Sequence, residues 1–401
     1  MLRQSIPPHQ QPLKSSSSSS DNDDLNISRA LLLDIIQENH SLYHMEKRDR
    51  PNNIIRVLVE LHQLGATQEQ LSLAYQYTRH ETQLIRPSNK INESNWKEYL
   101  GTSSLYSDYL VFFDNQLSSL GLQETLNTYF YSIPNSIGSQ LQPLVQLSFG
   151  IEHNLPQIIT QALAYYATSY LDVSNIMDYC QDHSVTTKSA QHQQSNIANK
   201  ILFDFIASDQ RFDGKIEGNN TFHSSVKLLI KSKYDLIKTY MTTWSTLSSN
   251  LSLEQRLDTL LTTAVTLAHK SSRQQGNSIE LDWFMAGGQL IDSVFAIKKL
   301  IRANNDTHFI NLLFLSILST FVVQGRPTQS IHMEPKMNWE SCISTIIQSA
   351  QPKSILALVS ILKVTQHVDS EPLLYLELAN TLAQFVLLDG TWVKGGLGWS
   401  K

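Results

Sequence analysis

Among thirteen histidines, one pair, His40 and His44, has the i, i+4 spacing of a helical face, with Asp34 and Glu38 close by. Two imidazoles on one face could share a metal ion, yet the remaining ligands would have to come from elsewhere, so a solvated or capping role stands beside the metal reading. His62, on the edge of its segment opposite the apolar stripe, is open to the same two readings. Gln142 and Gln146 repeat the i, i+4 geometry inside the apolar stretch Leu141, Leu144, Val145, Leu147 and Phe149. A buried amide needs hydrogen-bond partners, so two stacked amides imply a polar network or a ligand pocket, unless they bond backbone at a helix start. Glu152 and His153 follow directly as titratable neighbours.

Several chemistries are missing from the chain. It has no G-x-G-x-x-G, no Walker loop, no G-x-S-x-G elbow and no H-E-x-x-H. Lys394-Gly-Gly-Leu-Gly398 is glycine-rich, but a phosphate cradle must lead into a helix and only Trp399 to Lys401 remain, so it reads as a packed tail. A net charge of −5 supplies no basic field to neutralise phosphates, which argues against nucleic acid as a partner. Cys180 and Cys342 lie far apart without metal or disulfide spacing, as expected of core thiols in a reducing compartment. The amino terminus has no apolar signal segment, and the longest apolar run, Phe309 to Val323, is too short to span a bilayer. The expectation is a cytoplasmic protein with no membrane association.

The elements that must position these residues read as helices. Residues 1–24, with a serine run from Ser15 to Ser20 and acids from Asp21 to Asp24, have nothing to pack and are expected to form a disordered tail. From Leu25 the apolar residues recur at three-to-four spacing. Pro51 to Leu64 reads as a buried helix stopped by Gly65, Thr67 to Gln70 as a capping box, and Ser94–Leu100 and Leu105–Leu120 as helices stopped by Gly101 and Gly121. Leu141–Gly150 and Pro156–Tyr170 follow. After a polar stretch from Gln181 to Gln194, a candidate linker or lid, come further helices, among them Asp282–Arg302, Phe309–Val323, Ser354–Val364 and Pro372–Leu388. No strand alternation of useful length appears. The fold class is all-α, a multi-helix globular array around an interior pocket. Residues 25–401 form one domain, with a possible subdivision into 25–175 and 195–401.

Leu141-Gln-Pro-Leu-Val-Gln-Leu-Ser-Phe-Gly-Ile-Glu152, followed by Pro156 and Gln161-Ala-Leu-Ala164, resembles the questin oxidase-like family, whose members read approximately H-P-L-I-H-L-G-Y-G-L-E here. Asn52 through Ala66, Arg86-Pro87, Trp96 to Gly101, Tyr106 to Phe113 and Asp209 to Gly214 agree in character and order, with fainter similarity at Leu281–Phe295 and Trp392–Trp399. The resemblance implies an oxidoreductase that uses NADPH and oxygen on a small aromatic, polyketide-like substrate. The chain also departs from that pattern. Gln142 and Gln146 stand at usual histidines, Asn52, Asn53, Arg56 and Val57 stand where Asn-His and further histidines are usual, and Ala286-Gly287 replaces a Met-His pair. An imidazole accepts a proton or ligates a metal near neutral pH, and an amide does neither.

Two readings follow. In one, a pocket between the Asn52 and Gln142 helices is lined by Asn52, Asn53, Arg56, Gln142 and Gln146, with Glu152, His44 and His153 as the catalytic candidates. In the other, the fold binds a small molecule or a protein partner without turnover. The retained Asn52 and Glu152 favour the first, and the missing histidines favour the second.

Overall fold

The computed structural model describes residues 19–47, 49–79, 84–182, 196–218, 221–301, 307–329, 336–367 and 372–399. Residues 1–18 of the expected tail, and 183–194 of the polar stretch, lie outside them. Helix α1 (Ser19–Leu42) opens six residues before Leu25. The apolar spacing marks which part of a helix packs, whereas its backbone hydrogen bonds run on past the last buried residue.

A short hairpin, β1 (Glu46–Lys47) with β2 (Arg50–Pro51), leads into α2 (Ile54–Gln63) and α3 (Gln68–Arg79). Pro51 therefore lies in a strand and Asn53 is the N-cap of α2, so the helix starts later than the proline suggested. The capping box at α3 has both arms: Gln70 Oε1 accepts from Thr67 N (2.9 Å), and Thr67 Oγ1 accepts from Gln70 N (3.3 Å). Residues 93–101 are turns rather than a helix, ending at Gly101 with φ +79°. Next, α4 (Tyr106–Tyr129) runs through Gly121, which breaks it locally at φ 75°, ψ 171°. Then α5 (Gln142–Glu152) and α6 (Pro156–Thr168) pack on each other, and α6 also packs on α4.

After α7 (Ser174–Asp182), α8 (Ile197–Asn199) continues into a π-helical turn (Lys200–Ile206), followed by α9 (Phe222–Ser232), α10 (Tyr234–Ser248) and α11 (Leu253–His269). Helix α13 (Thr307–Val323) is the axis of this half. Every residue from Phe309 to Val323 is buried, and Trp244 stacks on Phe314 (4.6 Å) while its indole N–H donates to Asn311 Oδ1 (3.1 Å). Helices α14 (Trp339–Gln348), α15 (Pro352–His367) and α16 (Pro372–Leu387) close the array. No helix among the described residues is long and apolar enough to cross a membrane.

The fold is all-α but for the β1–β2 hairpin and one three-stranded sheet, neither of which the pattern foretold. Strands β3 (Ser272–Gln275), β4 (Ser278–Asp282) and β5 (Thr391–Val393) pair with β4 in the middle, antiparallel to β3 and parallel to β5. The expected helix from Asp282 is thus shorter, α12 (Gln289–Leu300). Trp399 Nε1 donates to Val323 O (3.1 Å) and Gly398 N to Gln324 O (3.1 Å), so the glycine-rich terminus is packed against the end of α13.

Gly288, the N-cap of α12, has φ +83°, and a Cβ there would meet Ser360 Oγ at 2.4 Å. Gly276 also has a positive φ, but with open space around it. Gly276→Ala is expected to lower stability by about 1 kcal/mol through backbone strain alone, and Gly288→Ala by distinctly more, read as urea midpoints.

Candidate functional site

A cleft of ≈ 670 Å³ is walled by the start of α2, the start of α15 and the β4–β5 edge. Of the residues singled out in the sequence, it gathers His44, Asn52 and Asn53. His44 lies beyond the end of α1 rather than on it, so the His40–His44 pair does not converge. His40 Nε2 meets Asp114 Oδ2 (3.1 Å), whereas His44 Nε2 meets Ser107 Oγ (3.1 Å), itself the acceptor for Arg86 N. Burial pushes the His44 imidazolium below its ordinary value, favouring the neutral ring. His62 is half-buried at the end of α2, its imidazolium lowered by burial and then by Arg29. Among the described residues no group of three or more His, Cys, Asp or Glu is placed to hold a metal.

Asn52 is used structurally: its Nδ2 donates to His44 O (3.2 Å) and to Asn39 Oδ1 (3.3 Å), fastening the hairpin to α1. Asn53 Oδ1 accepts from Gln146 Nε2 (2.8 Å). The two amides bridge the start of α2 to α5; further along these helices a groove of ≈ 190 Å³ opens between them, lined by Arg56, Val145, Ser148 and Glu152, while the larger cleft lies beyond Asn53. Gln142 is buried at the N-terminus of α5 with neither side-chain polar atom paired. It faces a chamber of ≈ 20 Å³, room for about one water, bounded also by Glu46, His223 and Gln289. Pro51 belongs to both linings and is the partition between them. Glu46 Oε2 accepts from Tyr165 Oη and Ser139 Oγ (both 2.5 Å), and burial, followed by the Glu46 charge, lifts the Tyr165 phenol well above its usual range. The segment before Gln142 holds three consecutive non-glycine residues in the left-handed region, Ser139 (φ 47°), Gln140 (56°) and Leu141 (60°).

Three expected positions lie elsewhere. Arg56 does not line the cleft as a donor; its Nη2 is 2.5 Å from Asp292 Oδ2, both side chains being buried. Glu152 pairs with Lys299 at the outer end of α5, on a separate groove of ≈ 190 Å³. Burial raises its carboxyl, but the Lys299 hydrogen bond and charge outweigh this and hold it below the usual value. His153 leans on Phe149 (4.4 Å) at the same end, its imidazolium lowered by burial. Helix α5 is buried from Gln142 to Gly150, and only its end, with Glu152, reaches the surface, away from the cleft.

The cleft also contains residues that the spacing did not disclose: Trp283, Lys353 and Trp392. Trp283 follows β4 and Trp392 lies in β5, and their rings meet edge to face at 6.2 Å. Lys353 Nζ lies 4.5 Å from the Trp283 ring centre and 5.7 Å from that of Trp392. Burial pushes the Lys353 ammonium well below the lysine range, against the smaller opposing pull of Asp282. Asp282 is buried beneath this corner. Burial lifts its carboxyl to about 7, although Phe284 N and Met285 N donate to its Oδ1. The sequence signal available was the clustering of Trp283 and Gly287-Gly288; nothing local linked them to Lys353.

With this geometry in view, comparison with known proteins is decisive on kinship. The questin oxidase-like family model matches residues 51–368. The chain belongs to the questin oxidase-like family. Among curated relatives, a Baeyer–Villiger oxidase of Pestalotiopsis microspora is 28% identical over 151 residues, covering 33% of each chain. Oxidoreductase AflY of Aspergillus parasiticus is 27% identical over 149 residues, 33% of this chain and 30% of the relative. The questin oxidase of Aspergillus terreus is 22% identical over 200 residues, 46% of this chain and 44% of the relative. The matched segments thus span about a third to under a half of the relatives.

The NADPH that the resemblance implies needs a cradle for its pyrophosphate, and the glycine turn between β4 and α12 leaves no room for one. A Cβ at Gly287 would meet Lys353 Cε at 2.1 Å and Trp283 O at 2.7 Å, and Asp292 stands in the first turn of α12. The turn is filled and faces a carboxylate, so it does not fit a pyrophosphate. Lys47 and Arg50 are exposed cations on the cleft rim.

Asp282 makes stability pH-dependent. Its folded pKa lies above its unfolded value near 3.9, so its contribution is full below about pH 4 and is lost as pH rises through about 7, by up to about 4 kcal/mol. Urea melts across that window should show this decline in the wild type and a flatter profile in Asp282→Asn.

Proposed function

We propose that the protein is an oxidoreductase of the Baeyer–Villiger kind, oxygenating or oxidising a planar aromatic, polyketide-like small molecule in the ≈ 670 Å³ cleft. The observation that carries this reading is the coincidence of that cleft with the family match: His44 at its edge is a near neighbour, and Asn52, Asn53, Trp283 and Lys353 fall within residues 51–368. The printed names of the relatives support an oxidative reaction of this class. The walls favour a flat acceptor-bearing ligand, with indole faces for the ring and amide and amine groups for its oxygens.

His44 is the titratable imidazole of the cleft and, held neutral by burial and steered by Ser107, is the group placed to exchange a proton with a bound ligand. Asn53, with its oxygen committed to Gln146, turns its amide donors to the ligand. Lys47 and Arg50 would hold the phosphates of NADPH, which supplies hydride when bound.

The Asn53–Gln146 bond also favours a second reading, binding without turnover, because neither amide can take up a proton. Oxygen consumption by the purified full chain with NADPH and emodin separates the two. Uptake dependent on both additions is the expected result; dye binding without uptake would transfer the protein to the second reading. Asn53→Leu is expected to lower kcat/KM at least about tenfold, with the stability loss checked separately by urea.

A further inference from the structure

A cavity whose lining offers donors and cations selects ligands that bring acceptors and negative charge. Lys47, Arg50 and Lys353 line the cleft against the single carboxylate of Asp389. Lys353 is the second residue of α15, its stem occupies the space that the missing side chain of Gly287 leaves open, and its Nζ sits in the corner of Trp283 and Trp392. Among the described residues no carboxylate stands within ion-pair distance of it, and the indole Nε1–H groups of Trp283 and Trp392 are both buried without an acceptor. The charged groups that act on Lys353 are, in order of effect, Asp282, Lys394, Asp292 and Arg56, and Asp292 and Arg56 neutralise each other. An amine pressed by burial toward its neutral form keeps a lone pair for a ligand's proton.

We propose that Lys353 takes the proton of an acidic phenol or enol on a planar aromatic ligand, which the cleft then holds as its oxyanion against the new ammonium group. The ligand O–H bond breaks, an N–H bond forms, and the electron pair stays on oxygen, so no oxidant or reductant enters the step. Two neutral groups meet, and the ion pair they create is stabilised on the cation side by the indole rings and on the anion side by charge-assisted hydrogen bonds. An oxyanion also surrenders electrons more readily than the phenol, which suits an oxidation site. The assignment rests on reading the cleft as the substrate site, but not on turnover.

Emodin, a hydroxyanthraquinone whose absorption moves to longer wavelength on ionisation, reports the state of the bound ligand directly. Titrated into the full chain at a pH where the free dye is neutral, it is expected to show the oxyanion band on binding. Lys353→Met is expected to bind at least about tenfold more weakly, by tryptophan quenching, and to leave the dye in its neutral spectrum. Should that variant not fold, the dye's O-methyl ethers serve the same end with the wild type, losing at least about tenfold in affinity. A neutral spectrum of the bound dye, an oxyanion band that survives in the variant, equal affinity for the ethers, or no dye binding at all overturns the proposal. Failure of the oxidoreductase reading is read separately, as absent oxygen uptake.

Discussion

The buried pair of Arg56 and Asp292 joins the helices on which the cleft is built. Arg56 belongs to α2, Asp292 to α12, and Ser360 of α15 donates to the other oxygen of Asp292 at 2.8 Å. One carboxylate therefore ties three helices that are remote in sequence, Asp292 lying 236 residues from Arg56 and 68 from Ser360. Desolvating such a pair offsets much of its attraction, so its value lies less in net stability than in geometry: either charge alone would be stranded in the interior, and only one arrangement satisfies both. Lys363 with Glu60, at 2.7 Å, repeats the tie between α15 and α2 one turn further along. The ends of α2 and α15 that face the cleft are thereby held in register, and with them Asn53 and Lys353.

Much of the fold was legible because helices announce themselves locally. Apolar periodicity foretold α13 and α5, glycines at 65 and 101 marked turns by their positive φ, and the Thr67–Gln70 box opened α3. The small sheet was not legible, since β5 has three residues and pairs with β4 across more than a hundred positions. The site was half legible for the same reason. His44, Asn52 and Asn53 are neighbours in sequence and stayed neighbours in space. Glu152 and His153 were chosen for adjacency to Gln146, but adjacency along a helix changes the face that a side chain presents. The Trp283, Lys353 and Trp392 corner draws on three remote stretches, and no spacing rule can assemble it.

The left-handed run from Ser139 to Leu141 is a second feature without a sequence signal, because glycine is absent from it. Each such residue costs of order 1–2 kcal/mol, so the run persists only where its surroundings over-determine it. The hydrogen bonds of Ser139 Oγ to Glu46 and of Gln140 Nε2 to Phe284 O (3.1 Å) and Thr320 Oγ1 (3.0 Å) supply that determination. They also set where α5 begins, and hence where Gln142 and Gln146 lie.

The fit of Lys353 over Gly287 makes the two positions interdependent. No larger side chain can enter at 287 alone, because the incoming atoms would strike the lysine stem, and beyond it the carbonyl of Trp283. Shortening the residue at 353 would make room, but that step alone would leave a void beside two indoles. Neither single change is tolerated as well as the pair, so this wall of the cleft can be remodelled only by a concerted exchange across two elements.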